Sequence, residues 1–524
     1  MEIQGSNIIG FQRSALSGKT FRGASAFDNG HQFFTAADEE IDQALQLACE
    51  AFQLYRNCSG ARKAAFLRAI AAEIESLGKG LIETAMVESG LPEARLTGER
   101  GRTCGQLRLM ADQVEEGSWV EAVIDYADPG RTPLPRPDIR RMLVPLGPVV
   151  VFTASNFPLA FSTAGGDTAA ALAAGCPVVV KAHEAHPATN ELVAMAIQRA
   201  AQQTGMPDGV FSSLNGDYQT GQALVTHPLT AAVAFTGSHA GGKALYDLAV
   251  RRPVPIPVFA EMGSVNPVFI LPGLSPEQLR DAAQKIAASV SLGAGQFCTN
   301  PGLLFVPAES AGEFSAALAS ALSVVAPQCM LNHRIFESYL RSLQQFRRDH
   351  EVVLLCEGQL EDAPYVRPSA GMVSEQEFLK KPDLQEEVFG PFTLVVTYLQ
   401  PEVLATLART LRGQLTATVF AAPEVLGQHR DFLDTLRQLA GRLLFNGVPT
   451  GVEVGHAMQH GGPFPATTDS RFTSVGTAAL KRFVRPVAFQ DFPQDLLPAE
   501  LRDGNPLRIW RMENGQFTAP PQQV

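Results

Sequence analysis

Between residues 148 and 252 a short apolar, β-branched run alternates three times with a helical pattern, and few folds accept that order. "PVVVFT" (148–153) leads to "TAAALAAG" (168–175), "PVVVKA" (177–182) to "ATNELVAMAIQRAAQQTG" (188–205), and "AAVAFTG" (231–237) to "GGKALYDLAVRR" (241–252). A strand apolar at nearly every position must be covered on both faces, and strand–helix–strand order brings each strand back parallel to the last. The segment predicts a parallel sheet wrapped by helices, with ligands expected beyond the carboxyl ends of its strands.

A second alternating region begins near residue 261, with the helix "SPEQLRDAAQKIAASVSL" (275–292) and the strands "GLLFVP", "EVVLLCE" and "PFTLVVTYL". Ahead of both, 38–77 and 80–116 carry helical spacing. "DPGRTPLPRPD" (128–138) reads as an extended connector, and "IRRMLVPLG" (139–147) as a strand whose proline suits a sheet edge. At 524 residues the chain exceeds one ordinary core, so two or three domains are expected.

Several classes are disfavoured. A net charge of -11 lacks the basic face that nucleic acid requires. No run of apolar residues is long enough to span a bilayer, so no membrane partner is expected. "MEIQGSNIIGFQRSALSG" lacks the pattern of a secretory signal, and the scattered, odd-numbered cysteines do not form a disulfide framework; a cytoplasmic setting is expected. His183-x-x-His186 and His456-x-x-x-His460 are the close histidine pairs, and both read as ordinary polar or packing residues. No metal centre is expected.

"VAFTGSHAGGKALYDLA" (233–249) places Gly237, Gly242 and Lys243 at the G-x-x-x-x-G-K spacing of an ATP-binding loop, but Ala244 stands where a magnesium-holding hydroxyl is required. A P-loop NTPase is therefore a remote alternative. A strand ending at Gly237 and a helix starting near Gly241 still gather backbone N–H groups at a positive helix end, which suits an anion. Taken alone, the loop is equally a tight turn.

Six stretches, taken in order, resolve the choice. They are "FTASNFPLAF" (152–161) with Asn156, "VVVKAHEAHP" (178–187), the loop at Gly237, "FAEMGSVNP" (259–267) with Glu261, "AGQFCTNPG" (294–302) with Cys298, and "EEVFGPF" (386–392) with Glu387. Together they resemble the aldehyde dehydrogenase superfamily from about residue 30 to 490. The resemblance implies an α/β fold of three parts. A Rossmann-like cofactor domain would take 1–125 and 148–260, an α/β catalytic domain 261–465, and a small β oligomerisation flap with the tail 126–147 and 466–524. It implies a homodimer or homotetramer, and free acid as product because Glu261 is retained.

It also assigns roles. Cys298 is the nucleophile that forms a thiohemiacetal and then a thioester, Asn156 joins the backbone N–H of Cys298 in an oxyanion hole, and Glu261 is the base that activates water. Phe152, Thr153, Lys181, His183, Glu184, Gly237, Ser238, Gly242, Glu387 and Phe389 are implied to hold the nicotinamide dinucleotide. A carboxylate at Glu184 accepts from ribose hydroxyls and repels a 2′-phosphate, so NAD is expected to be preferred over NADP.

Ser155 replaces the family's usual Trp, and "GGPFPATTDSRFTSVGTAALKRFVRPVAFQDFP" (461–493) replaces the usual closing motif. These departures resemble the branch with α-ketoglutarate semialdehyde (2,5-dioxopentanoate) dehydrogenases and an NADP-dependent fatty aldehyde dehydrogenase. The small-molecule substrate is then an aldehyde, a dicarboxylic semialdehyde if Arg102 meets its distal carboxylate. A solvated helix face is the other reading of Arg102, and a broad-specificity or fatty aldehyde enzyme the other reading of the chain. Phe157, Phe161 and Phe297 would line the tunnel in either case.

Overall fold

The three apolar runs form the centre of a seven-stranded sheet. Its order is Val258–Glu261, Ala232–Thr236, Val149–Phe152, Val178–Lys181, Phe211–Leu214, Asn7–Ile9 and Gln12–Ser14. The first five run parallel, as the alternation requires, and the last two are antiparallel. Val149, Val150, Val178, Val179 and Val180 have no exposed surface, so both faces are covered. The helix Gly166–Ala174 is buried along its length, which its run of alanines permits, and stops at Gly175, whose φ of 97° favours glycine. The computed structural model describes residues 2–519 apart from 26, 28, 29, 350 and 359–362.

A second seven-stranded sheet has the order Val353–Cys356, Ser369–Ser374, Phe392–Tyr398, Leu303–Pro307, Val268–Ile270, Gln414–Phe420 and Ala440–Phe445. All neighbours are parallel except the outermost pair, Val353–Cys356 with Ser369–Ser374. Stacked Phe269 and Phe305 lie in its core.

A third sheet has five strands: Val484–Gln490, Ile139–Pro145, Val123–Asp125, Arg511–Glu513 and Gln516–Thr518. Two expectations are corrected here. Ile139–Pro145 is not an edge strand, because it pairs on both sides, and its proline sits at the last position of the ladder. Residues 466–483 do not join the tail. Their 3-10 helix Thr477–Phe483 packs Ala479, Leu480 and Phe483 into the core around Gly166–Ala174, and buried Arg482 pairs with Asp167 at 2.8 Å. Among the described residues no helix is long and apolar enough to cross a membrane.

Candidate active site

Cys298 lies on the turn between the 3-10 helix Leu292–Gly295 and the strand Leu303–Pro307. The approach is left-handed at Gly293, Ala294 and Gly295. A Cβ on Gly295 would stand 2.3 Å from the Gly390 carbonyl, so only glycine fits there. Asn266, fully buried, fixes the turn by donating its amide to the carbonyls of Cys298 at 2.8 Å and Asn300 at 2.9 Å.

Glu261 ends the strand Val258–Glu261, where a parallel sheet presents its ligands. Its Oε2 accepts from Ser474 Oγ at 2.8 Å and lies 3.0 Å from His460 Nε2. The same His460 nitrogen is 3.6 Å from Cys298 Sγ. Burial acts to raise the Glu261 pKa, but the His460 ring and the hydrogen bonds from His460 and Ser474 outweigh it and hold the carboxylate below its usual range. Burial, then the neighbouring Glu261 charge, pushes the Cys298 thiol well above its usual value. Cys298 therefore rests as a thiol beside a charged carboxylate.

Asn156 reaches the same turn, donating Nδ2 to the Gln296 carbonyl at 3.0 Å. An amide has two N–H groups, so one remains for a developing oxyanion. Arg95 Nη2 donates to the Asn156 carbonyl at 3.2 Å and holds this loop from behind.

A cavity of about 800 Å³ joins Asn156, Glu261 and Cys298 to Phe152, Thr153, Lys181, His183, Glu184, Gly237, Ser238, Glu387 and Phe389. Every residue assigned to the cofactor lines it except Gly242. A Cβ on Gly242 would meet Met262 Sδ at 2.7 Å, so this glycine serves helix–strand packing, and Gly241 lines the cavity instead. Ser238 caps the helix His239–Val250 by accepting from Gly241 N at 3.2 Å. Lys243 turns to Asp247 at 2.7 Å, an ordinary i,i+4 ion pair.

The cavity is polar at both ends. Burial pulls the Lys181 ammonium down, with Glu184 and Asp217 opposing, and burial with neighbouring His186 and Lys181 keeps His183 neutral. At the far end burial pushes Glu387 up to about 8. A Cβ on Gly263 would stand 2.0 Å from Glu387 Oε2, so that glycine makes room for the carboxyl. A buried cation, a helix N-terminus and a buried hydrogen-bonding carboxyl along one cavity fit a dinucleotide with two riboses and a pyrophosphate.

Phe157 packs against Phe161 and Phe297 with ring centroids 5.1 and 5.3 Å apart. Arg95 lies over both Phe157 and Phe297, at 4.7 and 4.6 Å, and Arg102 lies over Phe161 at 5.3 Å. Arg102 is thus turned inward, and its Nη2 is buried with no hydrogen-bond partner.

The profile of the aldehyde dehydrogenase family matches residues 28–463. The chain belongs to the aldehyde dehydrogenase family. It is an oxidoreductase that converts an aldehyde to the acid with a nicotinamide dinucleotide. It is 46% identical over 523 residues to the alpha-ketoglutaric semialdehyde dehydrogenase of Acinetobacter baylyi (strain ATCC 33305 / BD413 / ADP1), covering 99% of each chain. It is 47% identical over 540 residues to alpha-ketoglutaric semialdehyde dehydrogenase 2 of Azospirillum brasilense, covering 98% of this chain and 100% of that one. An aldehyde dehydrogenase C mutant of Pseudomonas syringae, solved with NAD+ and octanal, superposes with a TM-score of 0.79 at 20% identity, covering 93% of this chain and 97% of that one.

In this aldehyde dehydrogenase four site residues escaped sequence reasoning: Asn266, Ser474, Arg95 and His460. His460 was read with His456 as a packing pair, yet His456 turns to Thr477 Oγ1 at 3.2 Å while His460 enters the site. The signal was the Gly461-Gly462 that follows. A Cβ at Gly462 would stand 2.0 Å from the Gln414 carbonyl, so the backbone must dive into the protein there and carry His460 with it.

Proposed function

We propose that this aldehyde dehydrogenase oxidises α-ketoglutaric semialdehyde to 2-oxoglutarate, with Cys298 as nucleophile and NAD as the preferred dinucleotide. The observation that carries the substrate is Arg102. A guanidinium with a buried, unpartnered nitrogen near Cys298 suits a carboxylate at the far end of a short aldehyde. The names of the two full-length relatives support the same substrate. The apolar rings of Phe157, Phe161 and Phe297 favour a second reading, a general aliphatic aldehyde enzyme.

The residues divide the reaction as follows. Lys181 and Glu184 hold the adenosine ribose, the helix start at Ser238 faces the pyrophosphate, and Glu387 with Phe389 holds the nicotinamide ribose. When bound, the nicotinamide supplies the hydride acceptor. Cys298 gives its thiol proton to Glu261, and its sulfur bonds to the carbonyl carbon. With a proton on Nε2, His460 donates to Glu261 at rest and to the Cys298 thiolate once Glu261 is protonated. The free Asn156 N–H and the Cys298 N–H take the oxyanion. Glu261, deprotonated again, later accepts a proton from the water that attacks the thioester, and the acid leaves as Cys298 regains its proton.

A carboxylate at Glu184 opposes a 2′-phosphate by up to about 4 kcal/mol for unit charges 4 Å apart at an effective dielectric of 20. The open outer strand Val484–Gln490 supports assembly as a homodimer or homotetramer, and the reading keeps the enzyme in the cytoplasm.

The test is a steady-state assay of reduced-cofactor formation with α-ketoglutaric semialdehyde and hexanal, each with NAD and NADP. A higher kcat/KM for the semialdehyde with NAD is expected. A higher value for hexanal would favour the second reading, and a higher value with NADP would overturn the cofactor preference.

A further inference from the structure

We propose that Cys298, His460 and Glu261 also form a site for a zinc ion, which switches the enzyme off by capping its nucleophile. This inference does not depend on which aldehyde is the substrate. Cys298 Sγ, His460 Nε2 and a Glu261 oxygen all lie within 4.8 Å of one another. Thiolate, imidazole and carboxylate are a ligand set that zinc accepts.

The spacing is close to that of a loaded tetrahedral site. With bonds of about 2.3 Å to sulfur and about 2.0–2.2 Å to nitrogen and oxygen, a tetrahedron sets its S···N edge near about 3.6 Å and its N···O edge near about 3.4 Å. The observed separations are 3.6 Å for Cys298–His460 and 3.0 Å for His460–Glu261. The second edge has to open by a few tenths of an ångström, and the Cys298–Glu261 edge lies within 4.8 Å.

Three further features favour an ion. Glu261 Oε1 is buried without a hydrogen-bond partner, so the carboxylate has unused capacity facing away from Ser474. His460 is anchored through its backbone, donating N–H to Thr473 Oγ1 at 2.8 Å and accepting from Ser474 N at 2.8 Å, which holds the residue beside Cys298 and Glu261. Cys298 and Glu261 both line the large cavity, which gives the ion a route in and leaves a fourth position open towards it.

Binding is balanced without a redox partner. The Cys298 thiol loses its proton to solvent and a sulfur–zinc bond replaces the S–H bond, while the proton on His460 Nε2 moves to Nδ1 as Nε2 bonds to the ion. With a neutral imidazole, the thiolate and the carboxylate cancel the charge of the ion, which suits a dry site. The capped sulfur can no longer add to a carbonyl carbon, and the ion stands in the path of the aldehyde.

The test treats the chelator-stripped enzyme with zinc chloride alone. One tightly bound zinc per chain by calorimetry is expected, with inhibition that aldehyde relieves competitively and a chelator reverses. Zinc should also protect Cys298 from iodoacetamide, read by peptide mass spectrometry on the wild type so that no variant has to fold. Cobalt chloride in place of zinc should give a thiolate-to-cobalt charge-transfer band that Cys298→Ser abolishes. Loss of an outer-shell partner costs about 10–100-fold in metal affinity, so His460→Ala and Glu261→Ala should each weaken zinc at least that much. Unprotected Cys298 in zinc-loaded enzyme, or equal zinc affinity in wild type and both variants, would overturn the proposal, as would the absence of zinc binding at large excess.

Discussion

His460 Nε2 lies 3.0 Å from Glu261 Oε2 with both side chains almost completely buried. The contact to Cys298 uses the same nitrogen, while Nδ1 has no hydrogen-bond partner. His460 is therefore not a relay with one nitrogen for each neighbour. With its proton on Nε2, its one N–H can serve a carboxylate or a thiolate in turn, and in the proposed mechanism Glu261 is left as the group that takes the proton.

That division makes His460→Asn informative. The variant removes the N–H that stabilises the thiolate, and removal of a single donor of this kind costs about 10²–10³ in rate. kcat/KM should fall by about that factor, and alkylation of Cys298 by iodoacetamide should slow in parallel. If His460 served packing alone, alkylation would proceed at the wild-type rate.

The wild-type thiol supplies its own test. Burial and the Glu261 charge both raise its pKa, so the thiolate fraction keeps growing through the ordinary thiol range without levelling off. Alkylation of Cys298 without cofactor should rise about tenfold per pH unit from about pH 6 to pH 9. A plateau near neutral pH would mean that the thiol is already ionised at rest.

Glu387 links the cofactor end to stability. Its carboxyl is held at about 8 in the folded protein by burial and returns to the ordinary value near 4.5 when unfolded. A raised folded pKa means that the native state is favoured at low pH and loses stability as pH rises from about 4.5 through about 8. Glu387→Gln cannot ionise, so its Tm should gain on that of the wild type over this window and hold a constant advantage above it. The gain should be on the order of a few kcal/mol at most. If Glu387 holds the nicotinamide ribose as proposed, KM for the dinucleotide should also rise in the same variant. Equal Tm values across the window would show that the carboxyl is ionised in the fold at no cost.

Much of this arrangement was legible in the chain, for identifiable reasons. Val149–Phe152 and Val178–Lys181 announce themselves because a fully buried strand has no polar position to hide. Cys298, Asn156 and Glu261 were picked out by the family resemblance of the stretches that carry them, and the structure brings all three to one cavity. Asn7–Ile9 was not, since a strand of three residues carries too little pattern to separate from a loop. Gly242 misled because a glycine required by a neighbouring methionine looks the same in sequence as one required by a phosphate. His460 and Ser474 were hidden because they act across more than two hundred residues from Glu261 at Ser474 and almost as far at His460, a distance that no local spacing encodes.

Arg95 and Arg102 sit on one helix, Glu93–Glu116, yet their surroundings assign them different tasks. Arg95 is spent: its guanidinium lies over Phe157 and Phe297, reaches the Asn156 carbonyl, and stands 3.6 Å from Glu99. Arg102 keeps a buried nitrogen without a partner. A charge-assisted hydrogen bond contributes about 1.5–3 kcal/mol, which is about 10–100-fold in affinity. Arg102→Ala should therefore raise KM for α-ketoglutaric semialdehyde by about that factor and leave hexanal unchanged. Arg95→Met should instead lower kcat for both aldehydes, because the Asn156 loop loses its support whatever the substrate carries. Equal KM increases for both aldehydes in Arg102→Ala would make Arg102 a packing residue and move the carboxylate to another cation.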